Sequence, residues 1–592
     1  MAEKTLKEKT AKGLMWGTIS SGAQLVLGTL FGIFLARILS PSDYGMVGLL
    51  TVFSQIASIL QDSGFRTALA NRRQIVHEDY NAVFWFNVAT GCAMYLLLFF
   101  LAPLITEFYQ QSDAAAHQDL SELTPLARFS FLGFVMASLG TAHYAYLFRT
   151  LQVKQKAIIT VISLTTSGAI GLTMALKGYA YWGLAAQGIA FTTCNTILFW
   201  YFSKWRPTLP VSFRPLKEMF GFSSKLLAND ICSNINGNIL SVMLGRFYAV
   251  HDVGLYNQAN KWTGMVSSMV IGTLKDVAQP VLRDVETERE RHKRVFRKML
   301  RFNAFLIFPS LFGMALISRE LILITVTEKW LDCVPIMQIL CIGAFTGPIQ
   351  YLCANLVITK ERSDLVLWNT IGTGIAQIGA IFFSYPYGIQ TMVCVYTAIN
   401  IAWLTVWFYF VRREIGLRLW EAVLDLFPYT AMAALAMAVT AFITSPIENA
   451  YLLLGTKVFT AALLYGGLMW LSGSVTFKEC MSHLLNKKEP DKSGSFYIRN
   501  IFLFPYHLLT VHDVHTALRQ IRPPVRPGSI SAHVTTVYGI NSKRLGLPVD
   551  FIQKCHWHHI LYRSPTISYG PRTVHDSGRS PSTSPPSNHQ YH

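Results

Sequence analysis

The stretch "LARILSPSDYG" (residues 35–45) returns in pattern as "LGRFYAVHDVG" (244–254). Both read Leu-x-Arg, five residues, Asp-x-Gly, at a constant offset of 209, and the same offset pairs Gly28 with Gly237 and Ser58 with Ser267. Each copy sits between two long apolar blocks, so the pattern marks an equivalent turn in two equivalent places. An Asp at a helix start accepts from free backbone N–H groups, and Gly permits a tight turn. Capping is therefore the local reading of Asp43 and Asp252, and the value of the repeat is architectural.

Working outward, the chain has 592 residues, 52% hydrophobic, 13% aromatic and only 14% charged, against roughly 25% charged in a soluble domain. Its apolar residues form about fourteen blocks between residues 13–36 and 452–472. Each is long enough to cross a hydrocarbon core of about 30 Å as a helix. The expected fold is an all-α polytopic membrane protein with about fourteen transmembrane helices. The basic leader "MAEKTLKEKTAKG" precedes a block too long for the core of a signal peptide, and is read as retained.

Lys and Arg favour cytoplasmic loops. With the N-terminus inside, alternate connections are rich in them: Lys4 to Lys12, Arg66 to Arg73, Arg149 to Lys156, Lys204 to Lys217, the run 275–301, Lys360 with Arg362, and Arg412 to Arg418. The opposite connections hold only Arg37, Arg128, Lys177, Arg246, Arg319, Lys329 and Lys457 up to residue 472. Both ends are expected in the cytoplasm, in a bacterial inner membrane. The same alternation excludes nucleic acid as the reason for the net charge of +18, since a nucleic-acid binder gathers its cations on one face. The nine Cys are scattered without metal-type spacing and read as small apolar side chains.

Six blocks separate the two copies, an even number, so both units share one orientation and the halves relate by an axis along the membrane normal. Two six-helix lobes are expected, residues 1–210 and 211–420, with two further helices in 421–475 and a polar tail from 487 to 592. Within the lobes the polar blocks are those carrying the repeat. Span 1 offers Ser20, Ser21 and Gln24 ahead of "GTLFG" (28–32), read as a close-packing stretch; span 2 offers Thr51, Ser54, Gln55, Ser58 and Gln61. Span 7, "KLLANDICSNINGN" (225–238), places Asp230, Asn234 and Ser241 on one face, and span 8 adds Asn257, Lys261, Gly264 and Ser268. Gln24, Ser58, Lys225, Asn234 and Lys261 are the candidate cavity residues.

Ionisable groups inside spans are functional candidates because each costs at least about 2.5 kcal/mol there. Lys225 reads either as a cavity residue or as a side chain snorkelling to the interface, and Asp230 either as a proton or sodium site or as a pair satisfied within the bundle. Lys261 reads as an anion contact. At a rise of about 1.5 Å per residue, Asp230 and Lys261 lie at depths about 11 Å apart, so no direct bond is expected.

The runs "ARILSPSDYGMVGLL", "QDSGFRTALANRR", "EDYNAVFWFN" and "GYAYWGLAAQGI" ahead of "WRP" resemble the lipopolysaccharide and polysaccharide exporters of the Wzx type. These are similar to drug and sodium antiporters of the same flippase superfamily. The resemblance covers roughly residues 10–485 and is specific over the first 210. It implies flipping of an undecaprenyl-pyrophosphate-linked oligosaccharide between leaflets by rocking of the lobes, with no cofactor, coupling to sodium or protons, and other polysaccharide-assembly membrane proteins as further partners. Arg37, Arg66 and Arg246 are then candidate phosphate contacts, guanidinium binding phosphate bidentately, with Arg66 also readable as an ordinary loop charge. Where the family shows an Asn-x-Asp pair, this chain has Asn236 and Asn238.

Two other classes are weighed against this. A small-molecule antiporter shares the lobes, but the first-half motifs favour the polysaccharide branch. A membrane-embedded glycan polymerase or transferase needs a sizeable outside loop or an acidic cluster, and neither is present in the sequence. The tail holds "CHWHH" (555–559) without a second ligand pair at metal spacing, and reads as a disordered extension or an out-of-frame segment.

Overall fold

A computed structural model describes residues 2–62, 69, 75–111, 120–150, 152–209, 214–275 and 277–485, with side chains from residue 15 except Thr18, Asp62, most of 214–228 and 483–485. The expected tail, 487–592, lies outside them. Among the described residues all regular structure is helical. The first half comprises α1 (Ala2–Ile38), α2 (Pro41–Asp62), α3 (His77–Gln110), α4 (Leu123–Ser138), α5 (Thr141–Arg149), α6 (Val153–Leu176) and α7 (Ala180–Phe202). Then follow α8 (Arg214–Phe247), α9 (Val250–Lys275), α10 (Ala278–Asp284), α11 (Arg289–Thr325), α12 (Cys333–Gly343), α13 (Thr346–Thr359), α14 (Ser363–Ser384) and α15 (Ile389–Ile415). α16 (Leu419–Thr444), α17 (Ala450–Leu471) and α18 (Val475–Leu485) complete the set.

Every expected block coincides with a helix, yet apolar length alone supports ten crossings, or eleven if α4 and α5, bent by 42°, form one. The helices that fall short are α7, diluted by polar and aromatic residues, and α8 and α9, which carry the second repeat. Several of their polar side chains, such as Asn236, Asn238 and Asn257, meet other helices, and such residues lower the hydropathy of a crossing helix.

The first copy of the repeat starts α2 as expected. Ser40 N–H and Oγ–H both donate to Asp43 Oδ2 (2.8 and 2.7 Å), Asp43 N–H donates back to Ser40 Oγ (3.2 Å), and Pro41 takes the first helical position. Asp252 lies in the first turn of α9 with His251 3.8 Å away. The glycines do something else. Gly45 and Gly254 are inside helices, not in turns, and they face one another's helices. A methyl carbon on Gly45 would fall 1.9 Å from the Val250 carbonyl oxygen, and one on Gly254 would fall 1.9 Å from that of Pro41. Since Pro41 and Val250 are themselves related by the offset of 209, each copy of the motif seats its glycine on the first residue of the other's helix. The turn role expected for these glycines is thus replaced by close packing. Gly32 of "GTLFG" does pack closely, against Lys261, whereas Gly28 and its counterpart Gly237 face open space.

Helices α16 and α17 pack along α11. The later part of the basic run found in the sequence forms the start of α11, where carboxylates from the following helices meet most of its charge. Asp425, 5% exposed, accepts from Arg297 Nε (2.6 Å) and Nη2 (2.9 Å) and from Arg301 Nε (2.8 Å), while Lys293 reaches Glu421 and Lys298 reaches Glu479, both at 2.9 Å. At the other end of the same helices, Lys457 Nζ donates to Glu320 Oε1 (2.9 Å). Charge pairs of opposite polarity therefore fasten α16 and α18 to the basic start of α11, and α17 to its far end.

Two outcomes follow from this packing. Gly254→Leu, which overfills a backbone contact at a cost of about 1–3 kcal/mol, lowers the unfolding midpoint of the purified protein in detergent, whereas Gly28→Leu leaves it within error. His292, on the basic start of α11, is fully buried, and burial with Lys360 beside it pushes its pKa from 6.5 down to about 4. The folded state keeps the ring neutral while the unfolded chain protonates below about 6.5. Stability therefore falls as the pH drops from 6.5 toward 4, and His292→Phe reduces the slope of midpoint against pH in that window.

Candidate functional site

Lipid offers no hydrogen bonds, so each polar group on a crossing helix needs a partner within the protein or water. The polar face of α2 meets that of α8 and leaves a cleft of about 420 Å³. Thr51, Ser54, Gln55 and Ser58 line it from α2, Ser130 from α4 and Asn234 from α8, with Val47, Leu50 and Ile59 as apolar floor. The amides of α8 are held in a ladder. Asn234 Nδ2 donates to the Asp230 carbonyl (2.9 Å), and Asn238 Nδ2 donates to both the Asn234 carbonyl (2.9 Å) and Gln55 Oε1 (2.7 Å). One turn on, Ser241 Oγ donates to Asn257 Oδ1 on α9 (3.1 Å), and Asn257 fills the notch left by Gly48. No charged side chain lines the cleft: its polar groups are hydroxyls and amides, able to donate and accept, set in a largely apolar lining.

Of the residues singled out from the sequence, the structure brings Ser58 and Asn234 together in this cleft. Asp230 lies one turn before Asn234, exposed. Gln24 is exposed on α1, donating to Ser20 Oγ (3.3 Å), away from the cleft lining. Lys261 faces the other side of α9, toward α1: a methyl carbon on Gly32 would be 2.8 Å from its Nζ. It borders a gap of about 10 Å³ with Thr29, Gln258 and Trp262, room for one water at most. Among the described residues no ion pair joins Asp230 to Lys261. The side chains of Lys225 and Arg66 lie outside the described residues.

The two arginines of the repeat have taken structural posts. Arg37 donates from Nε to the Thr325 carbonyl (2.8 Å) and from Nη2 to that of Ile324 (2.6 Å), satisfying the free carbonyls at the end of α11. The return contacts come from Lys329 Nζ to the Arg37 carbonyl (2.8 Å) and from Trp330 Nε1 to that of Ala36 (2.9 Å), with Trp330 edge-on to Tyr44. Arg246 sits over the Phe108 ring at 5.4 Å. Asn236, in the place of the family's Asn-x-Asp pair, donates to the Thr370 carbonyl on α14 and packs on Gly374. Its neighbour Asn238 points the opposite way, so both amides brace α8.

Sequence reasoning missed Ser130, Gln258, Trp262 and Trp330. Ser130 stands alone in an apolar run and carries no periodic signal. The other three are marked only by what lies across from them. One group of motifs does converge: Asn81 of "EDYN" exchanges hydrogen bonds with Thr208, which follows "WRP" (Nδ2 to carbonyl 2.8 Å, N–H to Oδ1 2.9 Å), and Trp205 Nε1 donates to His77 (3.1 Å). The resemblance therefore rests partly on a scaffold knot, not on the cleft.

Comparison with known proteins gives the family and the fold. The chain is 26% identical over 368 residues to the lipopolysaccharide biosynthesis protein WzxC of Escherichia coli (strain K12), covering 61% of this chain and 72% of that one. It is 24% identical over 401 residues to the teichuronic acid biosynthesis protein TuaB of Bacillus subtilis (strain 168), covering 67% and 81%. The fold is that of the lipid II flippase MurJ in an inward closed conformation, with a TM-score of 0.62 over 80% of this chain and 99% of that one, at 14% identity. A family model described as polysaccharide biosynthesis protein matches residues 34–335, a stretch that holds both copies of the repeat and the whole cleft. The chain belongs to the polysaccharide biosynthesis protein family.

Proposed function

We propose that the chain flips a polyprenyl-pyrophosphate-linked oligosaccharide across a bacterial cytoplasmic membrane for lipopolysaccharide, capsule or exopolysaccharide assembly. The observation that carries this reading is the uncharged cleft between α2, α4 and α8, lined by hydroxyls and amides beside apolar side chains, with the glycine contact next to it on α2. Sugars exchange many weak hydrogen bonds with such a wall without being trapped by any. With basic loops inside, both termini are cytoplasmic and the glycine contact lies toward the outer face, which suits an alternating-access cycle between lobes 1–210 and 211–420. The lipid tail stays in the bilayer and leaves the protein between α1 and α9, where Lys261 stands ready for the pyrophosphate. Asp230 is the proton or sodium site. Arg37 holds the outer end closed through the carbonyls of α11 and comes free for phosphate only when that end opens.

Expression of residues 1–486 in a bacterium lacking its own exporter restores surface polysaccharide. Lys261→Ala and Asp230→Asn, at equal membrane levels, each reduce it by about tenfold or more, the effect of about 1.4 kcal/mol. Extrusion of cationic dyes without any polysaccharide would instead make the protein a small-molecule antiporter. For the outer closure, Arg37→Ala raises the reactivity of a cysteine placed at the buried Met46 toward a membrane-impermeant thiol reagent added outside.

A further inference from the structure

Outside the cleft, a second cavity of about 320 Å³ opens where α11, α16, α17 and α18 meet. By the loop charges this level is the cytoplasmic interface. Its floor holds Arg301 and Asp425, its polar wall Tyr429, Ser472, Ser474 and Thr476, and its apolar wall Leu424, Met432, Met469 and Val475. The charges do not cancel. Arg297 and Arg301 share the one carboxylate of Asp425, so a full positive charge is left over, and the Arg301 side chain is 42% exposed toward the opening. Lys478 adds a second cation near Gly473 at the same end. The polar wall is braced: Tyr429 and Thr476 are joined hydroxyl to hydroxyl at 2.8 Å.

The apolar wall continues outward onto exposed side chains. Leu424 is 51% exposed, Val475 68% and Leu471 79%, and Trp420 and Trp470 are 68% and 70% exposed at the same level. Exposed Trp at one depth marks the boundary between headgroups and acyl chains. The cavity thus has a net positive charge at its base, two guanidiniums sharing one carboxylate, and an acyl-facing lip. A soluble anion would need only the first. An amphiphile with an anionic head would use both, and basic pockets between membrane helices on the cytoplasmic side bind lipid headgroups in this way.

We propose that this cavity is a binding site for the phosphate headgroup of an anionic phospholipid of the cytoplasmic leaflet, with Arg301 as the charged contact and the Leu424 and Val475 lip beside the acyl chains. The site is separate from the export cleft, and its occupancy would tie α16 to α18 and α11 to the membrane surface while the rest of the bundle moves.

The test is native mass spectrometry of the full chain, released from detergent with added dioleoyl phosphatidylglycerol, dioleoyl phosphatidylcholine or inorganic phosphate. The expected result is retention of phosphatidylglycerol at least about tenfold above phosphatidylcholine, lost in Arg301→Gln and in Val475→Asp but kept in Arg413→Gln, a control cation outside the cavity. Arg301→Gln leaves Asp425 its Arg297 partner, and Val475→Asp alters only an exposed lip, so one variant at least reports on folded protein. Equal retention of both lipids, or phosphatidylglycerol retained by both lip and floor variants, overturns the proposal. Displacement by equimolar inorganic phosphate would also overturn it, making the cavity a site for soluble phosphate. Surface polysaccharide export is scored separately, so failure here leaves the exporter reading untouched.

Discussion

The structure depends on one backbone contact, α2 against α9, made twice. Water does not press helices together inside a membrane, so association rests on close van der Waals approach and on hydrogen bonds between helices. Gly45 on the Val250 carbonyl and Gly254 on the Pro41 carbonyl allow an approach that any side chain would prevent. Once the helix starts are that close, the rest of the seam falls within reach: Asn257 enters the notch at Gly48, Ser241 bonds Asn257, and Asn238 bonds Gln55. A helix pair held apart by even one methyl group would strand these amides in an apolar setting, where each unsatisfied group costs several kcal/mol.

Around this seam the polar groups are sorted by depth. The ends of the bundle carry full charges with partners beside them: Asp425 between two arginines at one end, Glu320 with Lys457 at the other, Arg37 on helix-end carbonyls. Asp230 and Lys261 apart, the middle carries amides and hydroxyls that bond to the carbonyl four residues back or to the next helix, as Asn234 and Asn238 do. Neutral groups can be left partly solvated in a cleft and satisfied within their own helix, so a passage built from them can open and close without separating ions. On the proposed function, that is the physical reason a cleft whose polar groups are uncharged suits transport of sugars.

Much of this could be read from the sequence because it is local or periodic. The apolar blocks became helices, the Ser40–Asp43 cap formed, and the polar face of span 2 met Asn234 in one cleft. What the sequence hid was identity across the fold. Gly45 looks the same whether it makes a turn or a contact, and only the opposing Val250 carbonyl decides. Arg37 reads as a free cation until the end of α11 arrives beside it, 288 residues along the chain. Gly28 and Gly32 belong to one motif, yet only Gly32 has a neighbour across from it. The cavity beside Arg301 is built from four helices and has no motif at all.

The repeat is symmetric at the glycines and asymmetric beyond them, and the asymmetry has a use under the proposed function. α2 lies along α8, but the pair related to it by the offset, α9 and α1, is not packed in that way: α1 lies along α6, with Phe31 over Gly168, and approaches α9 at Gly32 and Lys261. A molecule with a sugar head and a lipid tail needs its cleft closed on one side, to hold the head, and open on the other, to let the tail remain in the bilayer. A bundle with perfect two-fold packing would be shut on both sides or open on both. The charged link between head and tail must then sit at the open side, and Lys261 is the cation that α9 presents there. Its counterpart under the repeat is Val52, buried in the closed seam. On the proposed function, charge inside the spans belongs to one copy of the repeat because an anion would pass on only one side of the bundle.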